Sequence, residues 1–381
     1  MLNKNSLLIE FKKVSEKLFP NLAYESDIAQ KTWDKISNQD NFKEKVELSK
    51  SSFLLPFWQN NLAEIFNVNK IETDYSVIAI DGSQIYPDRN ISGAGCFLIN
   101  IGGCSIKYSD KSEVKFYSEP KLFLTQELID QNEKISFSQD LVDFKREELE
   151  LLRLLEISVE NNIDLSLVDG TVIFWPLEGK TDEVKNYFLN LYINILNKFY
   201  EQNKLIAGVI SFPKSRELVN LIKLGLCRFD YAECISCHRI YNDFPCKIVD
   251  SLIDSQVTKF FLPKNYRSTI FFSKSKIVDS YPEHLKPCFF YLNTEKEIIR
   301  VETFSWIAND RSKLDFIASI ALDQVEKGMG YPVVLAQAHE AAVVKGPDRE
   351  FFYYLLQRQA MEQNKRIFYS QKSLKKKGIA I

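Results

Sequence analysis

The chain has 381 residues, of which 45% are apolar, and it carries a formal net charge of −2. This composition predicts a folded protein with a large hydrophobic core and excludes a strongly basic one, so any nucleic-acid surface must come from a local cluster of Lys and Arg. No apolar stretch approaches the ~20 residues that span a bilayer, and residues 1–5 do not begin the apolar core of a secretory signal. We therefore expect a cytoplasmic protein without membrane contact.

The chain is expected to divide into an N-terminal helical region (residues 1–70) and a main domain (residues 71–381). Apolar residues recur at helical spacing from Leu7 to Leu18, and Pro20 ends this first helix. Two more helices are predicted before the main domain, at residues 28–48 and 56–66.

The main domain is predicted to begin with a run of short strands, at residues 76–80, 95–101, 105–108 and 113–117. Gly102-Gly103 predicts a hairpin between the second and third of these strands. Alternating helices and strands follow, at residues 141–159, 165–168, 182–202 and 205–211. The predicted order is therefore β-β-β-α-β, with further helices and strands after it.

One tetrapeptide occurs twice, as Ile80-Asp81-Gly82-Ser83 and as Val168-Asp169-Gly170-Thr171, each time at the end of a predicted strand. The glycine after each Asp predicts a sharp turn that leaves the carboxylate exposed at the sheet edge. If the two strands are neighbours, the two acids can hold a divalent metal. This arrangement is similar to the ribonuclease-H-like α/β fold, whose first and fourth strands lie side by side. We therefore predict a mixed sheet of three antiparallel strands followed by parallel strands, flanked by helices.

A third carboxylate is expected from the helix between these strands. Glu147, Glu148 and Glu150 are the candidates, and their spacing does not choose among them. The alternative is a solvated helix face, on which Arg146 and Arg153 form ordinary ion pairs with Glu150.

The segment from Gly330 to Glu340 contains His339, one of three histidines in the chain. It lies in a helical apolar pattern, where it is either a core histidine bonded to a backbone carbonyl or a metal ligand and proton carrier. Tyr331 lies eight positions earlier, and core packing with a hydrogen-bonded hydroxyl explains it equally well.

The seven cysteines are expected to remain reduced thiols. Cys234-x-x-Cys237-His238 matches a haem-attachment pattern, which needs export. Zinc with Cys246 as a further ligand is an alternative, but no second CxxC follows. We therefore favour incidental or buried thiols. The remaining cysteines are predicted to be packing residues, namely Cys96, Cys104, Cys227 and Cys288.

Five segments together resemble the NurA nuclease family, in particular its bacterial branch. In the family's order they are Ile80-Asp81-Gly82-Ser83, Arg146-x-x-x-Glu150, Val168-Asp169-Gly170-Thr171, the strand and turn from Gly208 to Ser215, and the segment from Gly330 to His339. The chain departs from the family pattern at Thr171, where Ser is commoner, and at Pro213, which precedes Lys214.

The resemblance implies a manganese- or magnesium-dependent DNA nuclease, with 5′–3′ exonuclease and single-strand endonuclease activity, that acts in end resection during double-strand-break repair. It also implies a homodimer docked on a HerA-type hexameric ATPase that feeds DNA to the nuclease. It favours Glu150 as the third acid. By position, the residues that match the family's metal site are Asp81, Glu150, Asp169 and His339. Tyr331 and Lys214 match positions near the active centre. Hard carboxylate ligands of this kind hold two metal ions about 3.5–4 Å apart in phosphodiester hydrolysis.

Two other functions remain open from the sequence. Asp-Gly-Ser/Thr turns also occur in actin-like and sugar-kinase ATPases, but their glycine-rich phosphate loops are poorly represented among 13 glycines. A non-catalytic adaptor of a DNA-translocating ATPase has no physical reason to keep clustered, repelling carboxylates. For DNA contacts Arg89 is the better-placed candidate. The basic tail is either a surface that tracks the DNA backbone or a solvated, frayed terminus, and its cations are Lys365, Arg366, Lys372, Lys375, Lys376 and Lys377.

Overall fold

A computed structural model describes residues 2–18, 22–87, 91–92, 95–128, 137–240, 244–365 and 368–369. The strands are β1 (Phe57–Trp58), β2 (Ile65–Asn67), β3 (Tyr75–Ile85), β4 (Ile91–Ser92), β5 (Cys96–Tyr108), β6 (Glu113–Leu124), β7 (Leu165–Asp169), β8 (Leu205–Ile210), β9 (Tyr266–Ser268), β10 (Phe271–Phe272), β11 (Pro287–Asn293), β12 (Ile298–Phe304) and β13 (Phe368–Tyr369). The helices are α1 (Lys4–Leu18), α2 (Ala23–Ser37), α3 (Phe42–Leu48), α4 (Gln139–Glu160), α5 (Asp182–Glu201), α6 (Glu217–Gly225), α7 (Cys234–Ile240), α8 (Asp254–Val257), α9 (Ser305–Ala308), α10 (Arg311–Lys327), α11 (Val333–Ala342) and α12 (Gly346–Glu362). No helix in these described ranges is long and apolar enough to cross a membrane.

One mixed sheet organises the molecule. Its strand order is β1-β10-β11-β12-β8-β7-β3-β5-β6, with β2 and β9 joined to it at β11. β5 pairs antiparallel with both β3 and β6, whereas β7 is parallel to both β3 and β8. The first and fourth strands of the predicted β-β-β-α-β unit, β3 and β7, are therefore neighbours. This order confirms the predicted ribonuclease-H-like fold.

Helices cover both faces of the sheet because side chains alternate between the faces along each strand. On β3, Ile78 and Ile80 belong to the hydrophobic cluster formed with α4 and α5. Val77 and Ala79 belong to the cluster formed with α10 and α11 on the opposite face. The site described below lies at the end of β7, between the α4–α5 layer and the α10–α11 layer.

The predicted hairpin at Gly102-Gly103 is wrong, because both glycines lie inside the continuous strand β5. A Cβ atom added at Gly102 would lie 2.2 Å from the backbone nitrogen of Ala342, at the end of α11. A Cβ atom at Gly103 would lie 2.3 Å from Cδ1 of Ile80. These glycines therefore permit close packing, and the third strand of the unit is β6.

The N-terminal region also differs from prediction. The helix predicted at residues 28–48 is divided between α2 and α3, and the helix predicted at residues 56–66 is absent from this described segment. Instead, β1 and β2 extend the large sheet by pairing with β10 and β9. Trp33 and Phe42 share a hydrophobic cluster with Leu221 of α6. The division near residue 70 stays a prediction.

Candidate active site

Asp81 lies within β3, directly opposite Gly102 of β5. The predicted turn at Gly82 is wrong, since the strand continues to Ile85. Gly82 instead makes room for α4, because a Cβ atom there would lie 2.5 Å from Oε1 of Glu150. The glycine of the first motif therefore lets a carboxylate from the helical layer reach the strand beside Asp81.

Asp169 is the last residue of β7, and Gly170 makes the predicted turn with a φ of +110°. The turn is fixed from β12, which is separated from β7 by β8. Oε2 of Glu302 accepts hydrogen bonds from the Thr171 hydroxyl at 2.6 Å and from the backbone N–H of Val172 at 3.0 Å. A buried carboxylate thus holds the chain just after Asp169.

Among the three candidates on α4, Glu150 is the one that approaches both aspartates. Burial raises the pKa of Glu150 to about 8, although Arg146 opposes the shift. The carboxylates of Asp81, Glu147 and Asp169 raise this pKa further. The three sequence-predicted acids therefore lie within electrostatic reach of one another.

The other two acids on α4 have different partners. The Glu148 carboxylate accepts hydrogen bonds from Nζ of Lys145 at 2.9 Å. The Glu147 carboxylate accepts a hydrogen bond of 3.2 Å from the hydroxyl of Tyr192, and burial raises its pKa. Arg153, which was expected to pair with Glu150, forms its ion pairs with other glutamates.

His339 reaches Asp81 from α11 on the opposite face of the sheet. Its Nδ1 lies 2.8 Å from Oδ2 of Asp81, and its side chain is 59% exposed. The carbonyl of Ala342 accepts hydrogen bonds from the Ser83 hydroxyl at 2.6 Å and from the Asn100 amide at 2.8 Å. The hydroxyl of the first motif therefore anchors the end of the helix that carries His339. The alternative of a core histidine is wrong.

Tyr331 precedes α11, and its hydroxyl is hydrogen-bonded to Asp169. Burial raises the pKa of Tyr331, and the Asp169 carboxylate raises it further, so the phenol stays protonated and its O–H donates a hydrogen bond to the carboxylate. Both aspartates are thus contacted by side chains from the α10–α11 layer.

Lys214 lies beyond β8, whose end shares the sheet edge with the end of β7. It is exposed, and within the described part of the chain it makes no hydrogen bond or ion pair with the three acids. Phe212, two residues earlier, is 59% exposed and has a φ of +45°, which is rare for a residue with a side chain. Arg89, Arg366 and the tail from residue 370 lie outside the described residues.

A cleft of about 290 Å³ is lined by all three acids together with Arg146 and Glu147. Oε1 of Glu150 is buried and accepts no hydrogen bond from the described residues. The nearest cation is Arg146, whose Nε lies 3.3 Å from that oxygen. Clustered hard carboxylates with a buried oxygen lacking a hydrogen-bond partner fit a divalent ion such as Mn²⁺ or Mg²⁺.

The side chains are not already arranged as a complete ligand set. Across the described ranges, no three His, Cys, Asp or Glu side chains surround a common point in metal-binding geometry. The acids approach from two layers, since Asp81 contacts α11 while Glu150 extends from α4. Binding an ion therefore requires rotation of these side chains within the cleft.

Sequence reasoning missed three residues at or beside the cleft. Arg146 was treated as an ordinary ion-pair partner, yet it also donates a hydrogen bond of 3.1 Å to the carbonyl of Gly82. Burial lowers the pKa of Arg146, but the surrounding carboxylates, Glu150 foremost, raise it overall. Phe212 lay in a segment that carried the family resemblance but was given no role of its own. The local signal for Glu302 was its charge, together with that of Arg300, inside a mostly apolar strand.

Comparisons with known proteins agree with this geometry at the level of the family. The family model for the NurA domain matches residues 75–344. No curated protein sequence matches the chain. The matched segment includes all six predicted site residues.

Solved structures with some similarity include RuvC from Thermus thermophilus, at 9% identity over 49% of this chain and 94% of that one, with a TM-score of 0.18. A trimeric exonuclease, PhoExo I from Pyrococcus horikoshii OT3, matches at 8% identity over 60% of this chain and 99% of that one, also with a TM-score of 0.18. At such TM-scores neither likeness adds to what the strand order and the family model establish. Because the NurA domain covers more than two thirds of the sequence, this chain belongs to the NurA nuclease family.

Proposed function

We propose that the protein is a divalent-metal-dependent deoxyribonuclease whose centre is formed by Asp81, Glu150 and Asp169. The observation that carries the proposal is the meeting of these three acids in one cleft of a NurA domain. The Asp81 and Asp169 carboxylates both make ionisation of Glu150 less favourable, and a bound cation would offset this repulsion among the three acids. When bound at these residues, Mn²⁺ or Mg²⁺, with two ions proposed, would supply Lewis-acid activation of water and of the scissile phosphate.

The residues around the acids have distinct proposed roles. His339 holds one oxygen of Asp81 and is exposed enough to exchange protons with solvent, so it can orient that carboxylate and carry a proton near the reacting phosphate. It could also serve as a further ligand. Tyr331 orients Asp169 through its hydroxyl. Arg146 lies beside Glu150 and can neutralise excess negative charge in the cleft.

The proposed substrate contact is a DNA strand crossing the sheet edge beside β7 and β8. Lys214 and Phe212 both project from the loop after β8, where an exposed cation can pair with phosphate and an exposed aromatic ring can stack on an unpaired base. We expect Phe212→Ala to weaken binding of single-stranded DNA more than binding of duplex DNA. Equal weakening for both would contradict a stacking role.

The nuclease proposal is tested by incubating the protein with end-labelled single-stranded and double-stranded DNA in Mn²⁺, in Mg²⁺ and in EDTA. Asp81→Ala, Asp169→Ala and Glu150→Gln should each lose at least ~100-fold in rate, because each removes a metal-binding carboxylate. Glu148→Gln is the matched control on the same helix, since Glu148 does not line the cleft.

Cleavage that persists in EDTA, or that is equal in the wild type and the three variants, would refute the proposal. Hydrolysis of ATP by the isolated chain would instead support the actin-like or sugar-kinase alternative. Intact DNA under every condition, with no Mn²⁺ binding by calorimetry, would support the non-catalytic adaptor.

We also propose that the protein acts as a homodimer with a HerA-type hexameric ATPase, in end resection during double-strand-break repair in the cytoplasm. Family membership supports this assignment. In addition, α1 leaves Leu8, Ile9 and Phe11 more than half exposed, the kind of apolar surface that subunit contacts cover. Light scattering should give the mass of two chains, and a monomer at micromolar concentration would contradict the dimer.

A further inference from the structure

Four of the seven cysteines surround one cavity that is separate from the acid cleft. The cavity, of about 220 Å³, lies beside α6 and is lined by Cys227, Cys234, Cys237 and Cys246. It shares no lining residue with the cleft that contains the three acids. The four thiols come from three different pieces of backbone, so the fold, and not the CxxC pair alone, brings them together.

The thiols are close enough to influence one another. Burial raises the pKa of Cys237, and the neighbouring Cys227 and Cys234 raise it further. Burial also raises the pKa of Cys246, Lys223 opposes the shift, and Cys227 and Cys234 again add to it. Cys227 and Cys234 thus each interact with both Cys237 and Cys246.

The four cysteines around the cavity are less buried than the other three. Cys96, Cys104 and Cys288 lie inside strands and are at most 8% exposed, as predicted for packing residues. The four thiols around the cavity are only half-buried. Cys227 and Cys234 also pack against the hydrophobic cluster that contains Leu221 of α6, as predicted for Cys227.

Regular secondary structure is short in the segment that carries the thiols. Between α6 and α8, its described residues form the seven-residue α7 and a short 3₁₀ helix, Pro245–Val249. Tyr231 and Ile235 are 48% and 68% exposed, whereas Phe244, Val249 and Leu252, later in the segment, are buried. Short segments with little regular secondary structure are commonly held by disulfides or by a metal ion. All seven cysteines are free thiols in this structure.

One side of the cavity is already fixed by backbone contacts. The backbone N–H of Cys234 donates a hydrogen bond of 3.2 Å to the carbonyl of Lys50, and Lys50 donates one of 2.7 Å to the carbonyl of Ala232. Nζ of Lys45 donates a hydrogen bond of 3.3 Å to the carbonyl of Cys227. Cys227 is therefore tied to α3, and Cys234 to the segment after it.

We propose that Cys227, Cys234, Cys237 and Cys246 bind one structural zinc ion. Four thiolates are a common closed ligand set for tetrahedral zinc, and the two-residue gap between Cys234 and Cys237 is a typical ligand spacing. The thiols line the cavity but do not yet meet at one point in ligand geometry, as is true of every His, Cys, Asp and Glu group in the described ranges. Closing the site requires rotation of the cysteine side chains. The ion would join α6 to the segment before α8.

The proposal does not depend on the nuclease function and is tested by metal content. Full-length protein purified from zinc-supplemented medium should contain one zinc ion per chain by mass spectrometry. Cys234→Ser and Cys237→Ser should each lose that zinc, whereas Cys288→Ser should keep it. Asp81→Ala should also keep it, which separates this site from the acid cleft.

A second measurement needs no variant and so does not depend on how the serine substitutions fold. Titrating the wild-type protein with an organomercurial should release one zinc ion per chain, detected with a colorimetric chelator, and the melting temperature should fall as zinc is released. Zinc at background level, or zinc retained by Cys234→Ser and Cys237→Ser, would overturn the proposal. Stoichiometric iron with acid-labile sulfide, or fewer than seven titratable thiols in the denatured protein, would overturn it in favour of a cluster or a disulfide.

Discussion

Glu150 is predicted to reduce stability while it supports activity. In the metal-free protein, burial raises its pKa from an ordinary value of 4.5 to about 8. Because the folded pKa is above the unfolded one, its contribution to stability is fully present below pH 4.5 and is lost as the pH rises through about 8. Glu150→Gln removes the ionisable group, so the variant should become more stable than the wild type as the pH rises.

The structure sets the size of this effect. At about 1.4 kcal/mol per pKa unit, the shift corresponds to an upper limit of roughly 5 kcal/mol at high pH. The side chain is 20% exposed and the cleft can relax around a charge, so we expect a gain of about 1 to 3 kcal/mol in the free energy of unfolding at pH 8. The gain should vanish near pH 4.5.

The assay is urea unfolding of the wild type and Glu150→Gln between pH 4.5 and pH 9 in EDTA, with Glu148→Gln as the matched control. Glu148 is paired with Lys145, so its loss should bring no gain at any pH. Adding Mn²⁺ should stabilise the wild type and leave Glu150→Gln almost unchanged. A Glu150→Gln variant that is less stable than the wild type at pH 8 would refute the reasoning.

Three further substitutions test other parts of the site. His339→Ala should lower the nuclease rate about 10- to 100-fold, because Asp81 loses its partner. The free energy of unfolding should change by less than about 0.5 kcal/mol, since the ring is exposed. A loss of rate that is matched by a loss of stability would contradict a role at the site. Gly102→Ala should cost about 1–3 kcal/mol in urea unfolding because its Cβ would meet the end of α11, whereas Gly179→Ala, which has open space, should not. Glu302→Gln should cost about 3 kcal/mol by weakening a buried ion pair, and a neutral result in thermal denaturation would contradict its support of the turn after β7.

Local patterns in the sequence determined much of the fold around the site. The helix predicted at residues 141–159 is α4, and the strand predicted at residues 165–168 is β7, each within two residues of the observed bounds. Apolar spacing is a local property, and these elements bury the faces that their own periodicity marks. The position of Asp169 at the end of β7 could therefore be assigned from the sequence, whereas Asp81, which was expected at a strand end, lies within β3.

The choice among the acids of α4 needed more than periodicity. Glu147, Glu148 and Glu150 lie on the same predicted helix, and their spacing does not show which of them faces the two aspartates. The family resemblance favoured Glu150 as the third acid. The structure distinguishes them by environment, since only Glu150 packs against the glycine that follows Asp81. That contact joins residues 68 positions apart in the chain, so no local pattern reports it.

Tertiary packing alone decided what the glycines and thiols do. Gly82 and Gly102 carry the same local signal as turn glycines, yet both lie inside strands, where a Cβ atom would collide with a helix brought in from elsewhere in the chain. Likewise, the spacing of Cys234 and Cys237 does not predict that Cys227 lies near them, whereas in the folded chain all three line one cavity. The sequence by itself determined which segments become strands and helices, because hydrophobic periodicity is local. Which side chains share a site depended on contacts between distant segments, which only the folded chain creates.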